Sequence, residues 1–218
     1  MSLPRIASYA LPARDELPGN RVDWPLEPRR AVVLVHDMQN HFVDAYAERD
    51  GVIGQVVANI ARTTGLARSL GVPVVFTAQP PAQEPADRGL LTDFWGEGLQ
   101  TRAGARIVDA LAPHAGDTVL TKWRYNAFLR TPLRDLLRDS GRDQLVVTGV
   151  YAHIGCLLTA ADAFMHDTQA FFVADAVADF SREEHLTAVR YAASRCARVL
   201  GVQDVLAEFS GARPAVAR

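Results

Sequence analysis

The run Ala31-Val32-Val33-Leu34-Val35, followed by His36-Asp37, decides the fold. Its five residues are apolar, mostly β-branched, and show no alternation with polar ones, so neither face of the strand they form meets water. That is how a strand reads when it lies in a parallel sheet covered by helices on both sides. Four further runs repeat the pattern, at Val72–Thr77, Thr118–Thr121, Gln144–Thr148 and Ala170–Val173, and Ala197–Leu200 reads as a sixth strand.

Between the strands lie segments with helical spacing. From Val52 to Leu70 apolar residues recur at 52, 53, 56, 57, 60 and 66, and Gly71 closes the run as a C-terminal glycine does. Arg102–Leu111 reads as a helix. Thr131-Pro132 reads as an N-cap with proline at the first helical position, opening a helix to about Ser140. A small-residue helix follows Cys156 to Asp167, and Ser181-Arg182-Glu183-Glu184 has the spacing of a capping box for a helix to Ser194. Alternating strands and helices predict an α/β fold, three-layered and Rossmann-like, with a mainly parallel sheet of about six strands.

The 218 residues divide into a proline-studded arm over residues 1–30, one domain over 31–210 and a tail over 211–218. The arm, with Pro4, Pro12, Pro18, Pro25 and Pro28, is expected to run extended over the surface rather than to pack, with the chemistry beginning after it. Hydrophobic residues at 49% and charged residues at 22% exclude disorder and coiled coils. A balance of 23 basic to 25 acidic side chains argues against a nucleic-acid partner. No apolar stretch reaches the roughly 18 residues of a membrane span, and the start has no signal-peptide core. Two cysteines, Cys156 and Cys196, form neither a disulfide framework nor a zinc motif. A cytoplasmic protein is expected.

In open parallel sheets ligands bind outside the carboxyl ends of the strands. Asp37, Lys122 and the segment Gly149–Cys156 leave three such ends, which brings a carboxyl, an ammonium and a thiol to one edge. On spacing alone each could equally do no more than end its strand, and a buried cysteine is ordinarily inert core.

Several segments carry a resemblance: Val35-His36-Asp37-Met38-Gln39, Thr77-Ala78-Gln79-Pro80, Asp93-Phe94-Trp95-Gly96, Thr121-Lys122-Trp123-Arg124-Tyr125, Gly149 to Cys156, and Val173 to Ser181. In this order they resemble the isochorismatase family over nearly all of residues 1–210. The resemblance implies hydrolysis of isochorismate, a vinyl ether, to pyruvate and 2,3-dihydro-2,3-dihydroxybenzoate without metal or other cofactor, in siderophore or related secondary metabolism. Protonating the terminal methylene of an enolpyruvyl ether gives an oxocarbenium ion that water attacks, so one acid suffices. Asp37 fits that role if burial raises its pKa, with Lys122 orienting a dianionic substrate. Phe42, Gln79, Arg88, Trp95, Tyr125, Tyr151, Gly155 and Cys156 are carried over as substrate-binding residues. Arg88 suits a carboxylate, the aromatic residues shield the cation-like intermediate, and Gly155 allows close backbone approach. His36, His41 and His153 read as structural.

Three alternatives accompany this reading. Phenazine-pathway members cleave 2-amino-2-deoxyisochorismate to pyruvate and trans-2,3-dihydro-3-hydroxyanthranilate, and Cys156 leans away from them. Nicotinamidase-like relatives use a cysteine at the position of Cys156, which a helix start would activate, together with a metal. Gln79 and Pro80 stand where their metal-binding histidine is expected, so Cys156 is read as lining the pocket and not as a nucleophile. The last alternative is a non-catalytic binding protein on the same fold. The resemblance also implies a homo-oligomer, expected to be a dimer, acting alone or with a separate carrier protein because the chain ends without a carrier domain.

Overall fold

In a computed structural model, which describes residues 3–211, the six runs form one sheet. Its strands are β1 (Ala31–His36), β2 (Val74–Ala78), β3 (Thr118–Thr121), β4 (Gln144–Val150), β5 (Gln169–Ala178) and β6 (Ala197–Leu200). Their order is β3-β2-β1-β4-β5-β6, and every neighbouring pair is parallel. The helices are α1 (Asn40–Val43), α2 (Val52–Ser69), α3 (Pro85–Arg88), α4 (Leu91–Trp95), α5 (Arg102–Ala105), α6 (Leu133–Asp139), α7 (Leu157–Met165), α8 (Arg182–Arg195) and α9 (Val202–Phe209).

Both faces of β1 are dry, as its unbroken apolar run requires. Val33 and Val35 face a core with Ile53, Val56 and Ile60 of α2 and Val205 and Phe209 of α9. Val32 and Leu34 face a second core with Leu133 and Leu137 of α6, Ala160 and Ala163 of α7, and Val189 and Ala192 of α8. The result is the expected three-layer α/β/α arrangement. The strand order reverses between β1 and β4, so the crevice at their carboxyl ends is the place where this topology receives a ligand.

Local caps are legible in the sequence. Gly71 sits at φ +69°, and Val72 N–H donates to Ala67 O at 2.9 Å, the closing bond of a Schellman motif at the end of α2. Ser181 Oγ accepts from Glu184 N–H at 3.2 Å at the start of α8, while the Glu184 carboxylate takes the Ser181 hydroxyl at 2.8 Å.

Four expectations need correction. Arg102–Leu111 is not one helix: α5 stops at Ala105, and the next residues pair with the exit of β1, Asn40 N–H donating to Arg106 O at 2.8 Å and Val108 N–H to Met38 O at 3.0 Å. A backbone partner offered by the fold overrides local propensity there. The helix after Thr131 starts at Leu133, with Thr131 Oγ1 accepting from Leu133 N–H at 3.2 Å. β5 runs five residues past its expected end, to Ala178, and α9 follows β6 unanticipated. The arm is extended but packed. Ile6 and Leu26 are buried, Ile6 bridges Tyr46, and Ser8 Oγ accepts from Val52 N–H at 3.0 Å at the start of α2. The tail expected over 211–218 lies, Gly211 apart, outside the described residues. Among the described residues no helix is long and apolar enough to cross a membrane.

Candidate active site

Asp37 is the first residue after β1, with φ at +48°, a left-handed conformation that L-residues avoid and that aspartate tolerates better than most. The turn aims its carboxylate across the exits of β2 and β3. Oδ1 accepts from Thr77 Oγ1 at 2.6 Å, and Oδ2 accepts from Gln79 Nε2 at 3.1 Å and from Lys122 Nζ at 2.8 Å. Lys122 follows β3, is 1% exposed, and spends its other donors on the carbonyls of Arg124 (2.6 Å) and Tyr125 (3.3 Å). Burial works to raise the Asp37 pKa, but Lys122, His36 and the hydrogen bonds together outweigh it and hold the carboxyl below its ordinary value. Without substrate, these surroundings therefore favour the carboxylate form of Asp37.

A cavity of about 340 Å³ opens over this pair at the switch point. Asp37, Lys122, Phe42, Gln79, Arg88, Trp95, Tyr125, Tyr151 and Gly155 all line it. Phe42, Tyr151, Phe180 and Trp95 make one wall, with ring centroids 6.0 Å apart for Phe42 and Tyr151, 4.3 Å for Tyr151 and Phe180, and 5.9 Å for Trp95 and Phe180. Trp95 Nε1 donates to Tyr125 Oη at 2.6 Å, and Tyr151 Oη donates to the Phe42 carbonyl at 3.0 Å.

Arg88 ends α3 and is 5% exposed. Its Nε donates to Gly96 O at 2.6 Å, and among the described residues no carboxylate pairs with it. Burial lowers its pKa from the ordinary value, the electrostatic signature of a cation short of a counter-charge. Gly98, at φ +68°, lies so close that a Cβ there would stand 2.4 Å from the guanidinium.

Gly155 has a structural reason beside its place in the cavity lining. A Cβ at 155 would fall 2.0 Å from Cε1 of His36, whose ring lies under the turn between the carbonyls of Val150 (2.8 Å) and Tyr125 (3.1 Å). The glycine makes room for that histidine.

An isochorismatase domain model matches residues 31–204. The chain belongs to the isochorismatase family. It is 51% identical over 213 residues to an isochorismatase of Bacillus subtilis (strain 168), covering 97% of this chain and 68% of that protein. It is 50% identical over 205 residues to the phenazine biosynthesis protein PhzD of Pseudomonas fluorescens, covering 94% and 98%. Its fold is similar to that of a cysteine hydrolase from Pseudomonas syringae pv. phaseolicola, with a TM-score of 0.81 at 23% identity over 89% of this chain and 98% of the other.

In this isochorismatase-family chain Cys156 does not line the cavity, which corrects the expectation. It is fully buried in the core against α8, and its thiol points at Thr148 O, 3.9 Å away. The π turn Ala152–Cys156 presents Ile154 and Gly155 to the cavity and turns the next side chain beneath the sheet. Burial pushes the thiol pKa well up, the opposite of activation by a helix start.

Other lining residues escaped the sequence reading. Leu3 comes from the arm, where no motif marked it, and Leu91 and Leu99 come from the segment between β2 and α5. Phe180 had a signal: apolar character continues from Ala170 to Ala178, broken only by Asp175, so a longer β5 would have put Phe180 at a strand exit. One cluster among the described residues has metal-ligand types close together, His153, Asp179 and Glu184. Both Asp179 oxygens already accept protein N–H groups, and Glu184 holds Ser181.

Proposed function

We propose that this protein hydrolyses the enolpyruvyl vinyl ether of isochorismate to pyruvate and 2,3-dihydro-2,3-dihydroxybenzoate, with Asp37 as proton donor to carbon. The observation that carries the reading is a single buried carboxylate, Asp37, locked to Lys122 at the base of a cavity that also holds the unpaired Arg88 guanidinium and an aromatic wall.

A dianionic substrate supplies what the empty cavity lacks. One carboxylate meets Arg88 in the paired geometry that a guanidinium favours. The other, beside Lys122, offsets the field that holds Asp37 ionised, so its pKa rises and it takes up a proton. The Asp37 O–H proton then passes to the terminal methylene as the C=C electrons form the new C–H bond. Positive charge develops on the ether carbon and oxygen, facing the rings of Phe42, Tyr151 and Phe180 and shielded from bulk water. Water adds to the cationic carbon and gives its proton to the Asp37 carboxylate, and the hemiketal breaks to pyruvate and the ring alcohol. Thr77 and Gln79 hold the carboxyl oriented throughout.

The 2-amino-2-deoxy analogue is the second reading, favoured by the match to nearly the full length of PhzD. The lining favours the hydroxyl. Its one buried carboxylate is already paired with Lys122, and its other acid, Glu97, is exposed, so a substrate ammonium finds no free buried counter-charge among the described residues. The family resemblance also supports a homodimeric cytoplasmic enzyme, working with or without a separate carrier protein.

Pyruvate release coupled to lactate dehydrogenase, with isochorismate, its 2-amino analogue and nicotinamide run in parallel, tests the proposal. The expected result is pyruvate with the highest kcat/KM for isochorismate, unchanged by EDTA. Ammonia from nicotinamide with no pyruvate from either vinyl ether would replace it with amide hydrolysis.

A further inference from the structure

Asp179 is a fully buried carboxylate that the proposed chemistry does not use. It follows β5, and it gathers the structure around it. Oδ2 accepts from the backbone N–H of His153 at 2.7 Å, while Oδ1 accepts from His153 Nδ1 at 2.6 Å and from Phe180 N–H at 2.8 Å. Its carbonyl accepts from Tyr46 Oη at 3.3 Å, and its own N–H donates to Tyr9 Oη at 2.7 Å. One carboxylate thus ties the turn that follows Tyr151 to the residue before Phe180, the two rings in closest contact in the cavity wall.

Its charge has one counter-charge. Among the described residues no lysine or arginine pairs with Asp179, and only His153 does. The other titratable groups around the pair are Tyr9 from the arm, Tyr46, Tyr151, Cys156 of the π turn, and Glu184, His185 and Arg182 of α8. Tyr9 and His185 bond to each other, and Glu184 is occupied by Ser181. The His153 side chain is 30% exposed, so protons reach it from solvent, and its ring stands 5.6 Å from that of Phe180.

We propose that the His153–Asp179 ion pair is a positioning element for the substrate: the imidazolium fixes the buried carboxylate, and the carboxylate holds Tyr151 and Phe180 in the wall that the substrate contacts. That last step rests on the proposed function. Half-burial lowers the His153 pKa, but the hydrogen bond and the charge of Asp179 outweigh it and raise the pKa above its ordinary 6.5. The ion pair is complete below that raised pKa and loses its positive partner as pH rises through it.

Two measurements test this. In the wild-type protein, NMR resonances of His153 and of the Tyr151 and Phe180 rings are followed from pH 5 to 9. The rings are expected to move with the same midpoint as His153, above 6.5. Rings that stay in place while His153 titrates overturn the proposal, whether or not the protein releases pyruvate. In kinetics, the wild-type KM is expected to rise about tenfold across the same transition with kcat within about twofold, since a charge-assisted bond that shapes the binding wall is lost. His153→Gln, which keeps a donor but no charge, is expected to show the high-pH KM at every pH. A folded His153→Gln with the wild-type pH profile of KM contradicts the assignment. Should that variant fail to fold, the wild-type titration decides.

Discussion

Asp37 and Lys122 lie 2.8 Å apart with both side chains out of water, so each is the other's counter-charge before substrate arrives. Lys122→Met leaves a buried carboxylate uncompensated and is expected to cost about 3–5 kcal/mol of stability at pH 7, measured by urea unfolding. The sign with pH follows from the depressed Asp37 pKa. The stabilisation is present above the unfolded carboxylate value of about 3.9 and is lost as pH falls through the lower folded value, so the gap between wild type and variant should close in acid. Equal unfolding midpoints at pH 7 would mean that the pair does not hold the site together. Asp37→Asn keeps the shape and should keep binding while turnover falls by about 10³-fold or more, since the variant has no transferable proton. At Cys156 the expectation is reversed. Removing a sulfur from the core in Cys156→Ala should cost about 1 kcal/mol of stability and leave kcat within a few-fold. A loss beyond about a hundredfold, roughly 2.7 kcal/mol of barrier, would return the thiol to the chemistry.

The proposed function gives the segment between β2 and α5 control of the substrate's anionic end. Its short helices α3 and α4 are joined and followed by Gly89, Gly96 and Gly98, all at positive φ, and the bond from Arg88 to Gly96 O holds the guanidinium over the cavity. Gly98→Ala adds a methyl group that meets the Arg88 guanidinium in a backbone conformation alanine disfavours. It is expected to raise KM about tenfold or more with a smaller change in kcat, as a displaced carboxylate partner would; an unchanged KM would separate Arg88 from substrate binding. This element also marks the edge of what the sequence discloses. The six strands are legible because buried strands must be apolar runs, and Asp37, Lys122 and Gln79 are legible because they follow such runs. The fate of Arg102–Leu111 is not, since its backbone bonds go to Met38 and Asn40, distant in sequence. Nor does sequence tell on which side of a turn a residue falls: Gly155 faces the cavity and Cys156 the core, and only the π turn distinguishes them.

At the scale of the whole molecule, a parallel sheet in the order β3-β2-β1-β4-β5-β6 brings the exits of β1, β2 and β3 to one end and sets the β4 and β5 exits beside them. The proposed proton donor and its partners come from the first group, and the aromatic wall takes Phe42 and Trp95 from the first and Tyr151 and Phe180 from the second. The packed arm closes the rim with Leu3 and seats Tyr9 on Asp179, so the cavity draws on residues from Leu3 to Phe180. All of this machinery is ascribed to one event, transfer of a proton from Asp37 to a vinylic carbon. Its most direct test is hydrolysis of isochorismate by the wild-type protein in D2O, with the pyruvate trapped at once as lactate so that its methyl group cannot exchange. The account predicts one solvent deuterium in that methyl group; a methyl group free of deuterium would show that its third hydrogen comes from a non-exchangeable position and not from Asp37.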